Sequence, residues 1–170
     1  MGWVRCGSNI ISVPITENGT AFDYDVWNGI SATKTNFNNI HSDYCLYNGN
    51  IVEEMYAYLQ GSSGYEGFCF KCKEGLNLTV SESYVLSFVL DVANTVTFNA
   101  TEHKFGIKHS NSQISNFNTS TDQEFTRQTG RQNISFTFTA DTNNYFSFIA
   151  SCCAGSGVIR FIDIKITSVT

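Results

Sequence analysis

Four aromatic residues in the first part of the chain, Trp27, Tyr56, Tyr58 and Tyr65, are the leading candidates for binding chemistry. Aromatic faces stack on sugar rings, and Tyr56 and Tyr58, two apart, share one face if residues 53–59 form a strand. The same rings would also serve to cover the ends of a sheet or a subunit contact. A second candidate is a carboxylate in an apolar run, Asp163 in Gly157-Val-Ile-Arg-Phe-Ile-Asp-Ile-Lys-Ile-Thr167. Strict alternation puts Ile162, Ile164 and Ile166 on the core face, and Ile159, Phe161, Asp163 and Lys165 on the wetter one. There Asp163 is a solvated charge, a partner of Lys165 or a ligand for a cation.

The remaining reactive residue types do not converge. The six cysteines, Cys6, Cys45, Cys69, Cys72, Cys152 and Cys153, include one C-x-x-C, without the second matched pair that zinc usually requires. Cys152 and Cys153, being adjacent, are expected on opposite faces of a strand. His41, His103 and His109 lie in polar stretches and read as surface histidines. Glu53 and Glu54 face opposite ways on a strand, and Asp23 with Asp25 is the other close pair, whereas a glycosidase needs two carboxylates across a cleft. There is no G-x-S-x-G, no phosphate-cradling glycine loop and no H-E-x-x-H. A non-catalytic protein is the expectation.

The elements that must position these residues are strands. A chain of 170 residues with 42% hydrophobic, 14% aromatic and a single proline fits one sheet-rich domain. A net charge of −5, with ten basic residues nowhere clustered, excludes an electrostatic footprint for nucleic acid or an anionic membrane. The opening Met1-Gly-Trp-Val-Arg-Cys-Gly-Ser8 lacks the apolar run of a secretory signal, so folding in a reducing host cytoplasm, with free buried thiols, is expected. Period-two patterns predict strands over 53–59, 67–73, 84–92, 96–100, 104–109, 133–140, 145–152 and 158–166. Asp141-Thr-Asn-Asn144 and Ala154-Gly-Ser-Gly157 read as hairpin connections. The expected fold is an all-β antiparallel, jelly-roll-like β-sandwich over 21–170. Residues 1–20 form an N-terminal segment whose apolar Trp3, Val4, Ile10 and Ile11 read as a docking arm for a neighbouring subunit.

A resemblance rests on residues 65–166. Gly67-Phe-Cys-Phe-Lys71, Ser83-Tyr-Val-Leu-Ser-Phe-Val-Leu-Asp91, Glu124-Phe-Thr-Arg-Gln128, Ile134-Ser-Phe-Thr-Phe-Thr-Ala140, Tyr145-Phe-Ser-Phe-Ile149 and Phe161-Ile-Asp-Ile-Lys-Ile166 follow one another in a characteristic order. That order is similar to carbohydrate-binding-module jelly rolls of the type appended to xylanases and glucanases. Phe125 with Arg127 stands where that family often has tryptophan before the arginine, and Phe22-Asp23 with Trp27 loosely matches its early F-E…W motif. The resemblance implies a structural calcium held by Asp163 and Asp23, and no other cofactor. It also implies a non-catalytic role. The setting that fits best is an accessory bacteriophage virion protein (capsid decoration, head fibre or tail-associated), with virion proteins or its own subunits as partners and a cell-surface glycan as a further one. The alternative is a free glycan-binding module of a bacterial extracellular system.

Overall fold

The computed structural model describes the backbone of residues 4–6, 10–12, 15–16, 19–20, 22–28, 33–34 and 40–47, then residues 50–169 apart from 61–65, 73–74, 99–103 and 116–119. Side chains are described from Met55 onward, except those of residues 60, 66 and 67. Trp3 and Tyr65 lie outside the described residues, as does His103. The described residues form fifteen strands and no helix. The first seven are β1 (Val4–Cys6), β2 (Ile10–Ser12), β3 (Ile15–Thr16), β4 (Gly19–Thr20), β5 (Phe22–Asn28), β6 (Thr33–Lys34) and β7 (Ile40–Tyr47). Next come β8 (Asn50–Gln60), β9 (Glu66–Cys72), β10 (Ser83–Val92), β11 (Val96–Phe98) and β12 (Phe105–Ser110). The chain closes with β13 (Gln123–Glu124), β14 (Gly130–Thr139) and β15 (Tyr145–Ser168).

All pairings are antiparallel, and β15 belongs to two sheets. Its second half lies between β8 and β10, giving a first sheet β7-β8-β15-β10-β14, onto which β2 and then β1 add beside Lys165–Thr167. Its first half lies between β9 and β12, giving a second sheet β6-β5-β9-β15-β12-β13, with β11 beside Cys153–Gly155. The chain is thus an antiparallel jelly-roll β-sandwich. Ile10 and Ile11, expected in a docking arm, are paired in backbone register with Thr167 and Ile166 of the same chain, and Val4 pairs with Ser12.

Residues 145–152 and 158–166, expected as hairpin partners, are instead one continuous 24-residue strand. The Ala154-Gly-Ser-Gly157 segment carries the strand from one sheet to the other. Gly155 has φ of 83°, and a Cβ there would meet the Thr95 carbonyl oxygen at 2.5 Å. Glycine is needed because the 93–97 turn packs against the crossing backbone, not because the chain reverses.

The phase of the closing segment also differs from the expected one. Ile159, Phe161, Ile164 and Ile166 all join the sandwich core, although 161 and 164 have opposite parity. The cause is a β-bulge: Ser87 pairs with Lys165 and Val89 with Ile162, so Phe88 of β10 opposes both Asp163 and Ile164. Asp163 takes up the extra residue with φ of 56°, a left-handed conformation that Asp and Asn tolerate better than other non-glycine residues. One inserted residue flips every later side chain, which brings Ile164 and Ile166 to the core, while Ile162, ahead of it and next to core Phe161, is on the outer face, where it is nonetheless buried.

Rings from both sheets meet in the core. Phe161 lies within ring contact of Phe88 and Phe125 at 5.8 and 6.3 Å, and of Phe68, Phe70 and Phe148 of the second sheet at 6.1, 5.9 and 5.2 Å.

Candidate functional site

Strand β8 alternates as expected. Met55, Ala57 and Leu59 are buried in the core, and Tyr56 and Tyr58 point outward, with Tyr58 41% exposed. The antiparallel register sets Arg160 of β15 opposite Tyr56, and Val158 opposite Tyr58. The Arg160 guanidinium carbon lies 5.2 Å from the Tyr56 ring centroid, a cation–π contact. On the other side of Arg160, β10 places Asp91, and Asp91 Oδ2 accepts a 3.3 Å hydrogen bond from Arg131 Nε of β14. His41 of β7 occupies the register position opposite Tyr56. A row of aromatic and charged residues therefore crosses the outer face of the first sheet, on strands held rigid by the core beneath.

Of the four aromatic candidates, Tyr56 and Tyr58 come together. Trp27 sits on β5 in the second sheet, in register with Gly67. Arg160, Asp91 and Arg131 were not singled out in the sequence. Arg160 had a legible signal, because an arginine in an apolar strand has to face out, which would have turned Ile159 and Phe161 inward.

Asp163 is an ion-pair partner: Lys165 Nζ lies 2.6 Å from its Oδ2, on a part-exposed surface. Asp23, its expected partner at a cation, is on β5 of the other sheet, in register with Lys71. Among the described residues no three His, Cys, Asp or Glu side chains gather as a metal site. The bulge conformation sets the expected mutational response. Asp163→Ala lowers stability by about 1.5 kcal/mol, chiefly by putting a Cβ-bearing residue without Asp's local hydrogen bonding into the left-handed region. Asp163→Asn keeps that tolerance and loses an exposed ion pair worth under about 1 kcal/mol. Thermal melts with calcium and with chelator check both points. A melt of the parent that chelator lowers, and Asp163→Asn no longer responds to, would return the aspartate to a cation.

Cys69, Cys72, Cys152 and Cys153, the cysteines whose side chains are described, are buried and form no disulfide. Cys69 and Cys72, three apart on β9, face opposite sides of the sheet: Cys72 joins the core, and Cys69 packs with Ile149 on the far side. The C-x-x-C therefore cannot chelate one ion from this strand. Burial pushes the Cys72 thiol up to about 12. Cys152 and Cys153, expected on opposite faces, are both buried beside a register shift between Ala150 and Cys153. A hydrogen bond between their thiols holds Cys152 below the usual thiol range and raises Cys153 well above it.

His109, expected at the surface, is half-buried between Phe146 and Phe138, stacked on the former at 5.1 Å. Its Nε2 lies 2.9 Å from Oδ1 of fully buried Asn144, which also accepts the Asp141 N–H. Asn144 Nδ2 donates to the Leu76 and Asp141 carbonyls. Because Asn144 Oδ1 can only accept, His109 Nε2–H donates the hydrogen bond to it, and the group locks the turn before β15 as a structural hub.

No protein-family model matches the chain. No curated protein matches it by sequence. Among solved structures, a family 11 carbohydrate-binding module from Clostridium thermocellum, in complex with a β-1,3-1,4-mixed-linked tetrasaccharide, superposes over 95% of this chain and 97% of its own, with TM-score 0.52 and 12% identity. The K1 cleaved adhesin domain of Lys-gingipain from Porphyromonas gingivalis W83 covers 99% of this chain and 94% of its own, at TM-score 0.41 and 11% identity. The C-terminal family 6 module of the laminarinase LamC from Zobellia galactanivorans covers 85% and 99%, at TM-score 0.36 and 13% identity. The first of these shares the jelly-roll sandwich fold of this chain.

Proposed function

We propose that the chain is a non-catalytic glycan-binding protein whose site is the outer face of the first sheet around Tyr58. The observation that carries this reading is the exposed Tyr58 ring on a rigid strand, beside an arginine and a carboxylate placed in the same face by strand register. An aromatic face supplies the stacking surface for a sugar, and Arg160 and Asp91 supply a donor and an acceptor for its hydroxyls. The fold supports the reading, since the family 11 module of the same architecture is complexed with a tetrasaccharide.

A glycan microarray followed by calorimetry on the best ligands tests it. The parent protein is retained by at least one glycan, and Tyr58→Ala weakens that binding by about tenfold, the loss of one aromatic stacking contact. An empty array, or a Tyr58→Ala variant that binds as the parent does, overturns the proposal. The same module would serve on a bacteriophage particle or as a free extracellular module. A stable trimer or other oligomer by mass photometry supports the virion setting, and a monomer that binds glycan supports the free module.

A further inference from the structure

Tyr56 and Tyr58 share a face of β8, but their rings are 79° apart in plane, with centroids separated by 5.7 Å. A sugar stacks with its apolar face parallel to the ring beneath it. Two neighbouring rings can therefore support one flat surface only when they are close to coplanar, and these are nearly perpendicular. Tyr56 also has a second task. Its ring carries the Arg160 guanidinium at 5.2 Å, and a cation over a ring occupies the face that a sugar would use. Val158, in register with Tyr58, extends the apolar end of the site, and Asp91, in register with Arg160, extends the polar end.

We infer that Tyr58 alone is the stacking platform, that Tyr56 is a positioning residue holding Arg160 as the specificity-determining polar arm, and that the site accordingly takes a single soluble glycan chain and not the flat face of a crystalline polysaccharide. The inference rests on the glycan-binding reading above. One sugar stacks on Tyr58, and its hydroxyls accept hydrogen bonds from Arg160 and donate to Asp91. Among the described residues the next sugar along has no coplanar ring to lie on, so this platform does not track an extended planar surface.

The experiment compares the parent with Tyr58→Ala, Tyr56→Phe, Tyr56→Leu and Arg160→Gln. Binding is read by calorimetry against soluble cellohexaose, xylohexaose, laminarihexaose, chitohexaose and the mixed-linked β-1,3-1,4-tetrasaccharide, and by depletion onto microcrystalline cellulose and crystalline chitin. The expected result is binding to at least one soluble chain with no depletion onto either solid. Tyr56→Phe, which keeps the ring under the guanidinium, stays within about twofold of the parent, while Tyr56→Leu and Arg160→Gln both weaken binding by about fivefold. Thermal melts confirm that each variant is folded, and Arg160→Gln, a surface change, keeps the question answerable if Tyr56→Leu is not. Equal binding by parent and Arg160→Gln overturns the assignment of the polar arm. Depletion onto the solids without binding to soluble chains overturns the ligand class and leaves glycan binding standing. No binding to any soluble or solid probe overturns both.

Discussion

Replacing Phe161 with alanine lowers the unfolding free energy by about 4 kcal/mol, the upper range for removing a buried aromatic ring. Phe161 is fully buried and makes ring contacts with Phe68, Phe70, Phe88, Phe125 and Phe148. It bridges the sheets: Phe88 lies beside it in the first, and Phe68, Phe70 and Phe148 face it from the second. Alanine leaves a void that the five surrounding rings, four of them carried on paired strands, cannot fill without distorting the sheets. Phe161→Leu, which restores most of the volume, costs about 1.5 kcal/mol. Urea unfolding followed by circular dichroism measures both. If Phe161→Ala costs under about 1 kcal/mol, the ring does not hold the two sheets together.

Alkaline pH destabilises the protein through Cys72, and the sign follows from its burial. The folded thiol is pushed up to about 12 from an ordinary value of 9.0, because the buried thiolate is desolvated. Below the ordinary value the thiol is protonated in both states and the stability it contributes is fully present. As pH rises past that value the unfolded chain releases the proton and the folded chain does not, so stability falls by about 1.4 kcal/mol per pH unit until the folded thiol ionises as well. The other titrating groups contribute equally to a variant that lacks only this thiol. Cys72→Ala loses stability at neutral pH by leaving a small cavity, and its deficit relative to the parent narrows as pH is raised from about 9 to 11, by roughly 2 kcal/mol in total. Urea midpoints of the two proteins at a series of pH values test this. A deficit that stays constant over the range would show that the Cys72 thiol titrates in the folded protein as it does in the unfolded chain.

Local pattern was enough for the class of fold and for most strands of the second half. In 84–92 and 133–140 the apolar residues recur at every second position over more than one pair, and no other regular structure has that period. Tyr56 and Tyr58 were placed on one face by the same argument. The strand at 22–28 escaped it because its alternation, Phe22-Asp-Tyr-Asp-Val26, spans only five residues before Trp27 breaks it, and that at 40–47 because its polar and apolar residues do not alternate. Their pairing with β9 and β8 depends on partners distant in the chain.

What strand pattern alone establishes about this protein is that it is an all-β, antiparallel sandwich with a ring-rich core, because alternation and β-branched or aromatic content are local properties of the chain. Three features were settled by distant contacts. The phase of the closing strand turns on how β10 pairs with it: a single aspartate in the left-handed region absorbs one extra residue, and strict alternation carried through Asp163 assigns Ile159 and Phe161 to the wrong face. The passage of β15 between sheets turns on the 93–97 turn packing against Gly155, whereas the same Gly-Ser-Gly letters also spell a hairpin. The site itself exists because β8 and β15 pair in the register that sets Arg160 over Tyr56. A strand's own residues fix which side chains share a face, but which residues stand beside them is fixed by hydrogen bonding to strands elsewhere in the chain.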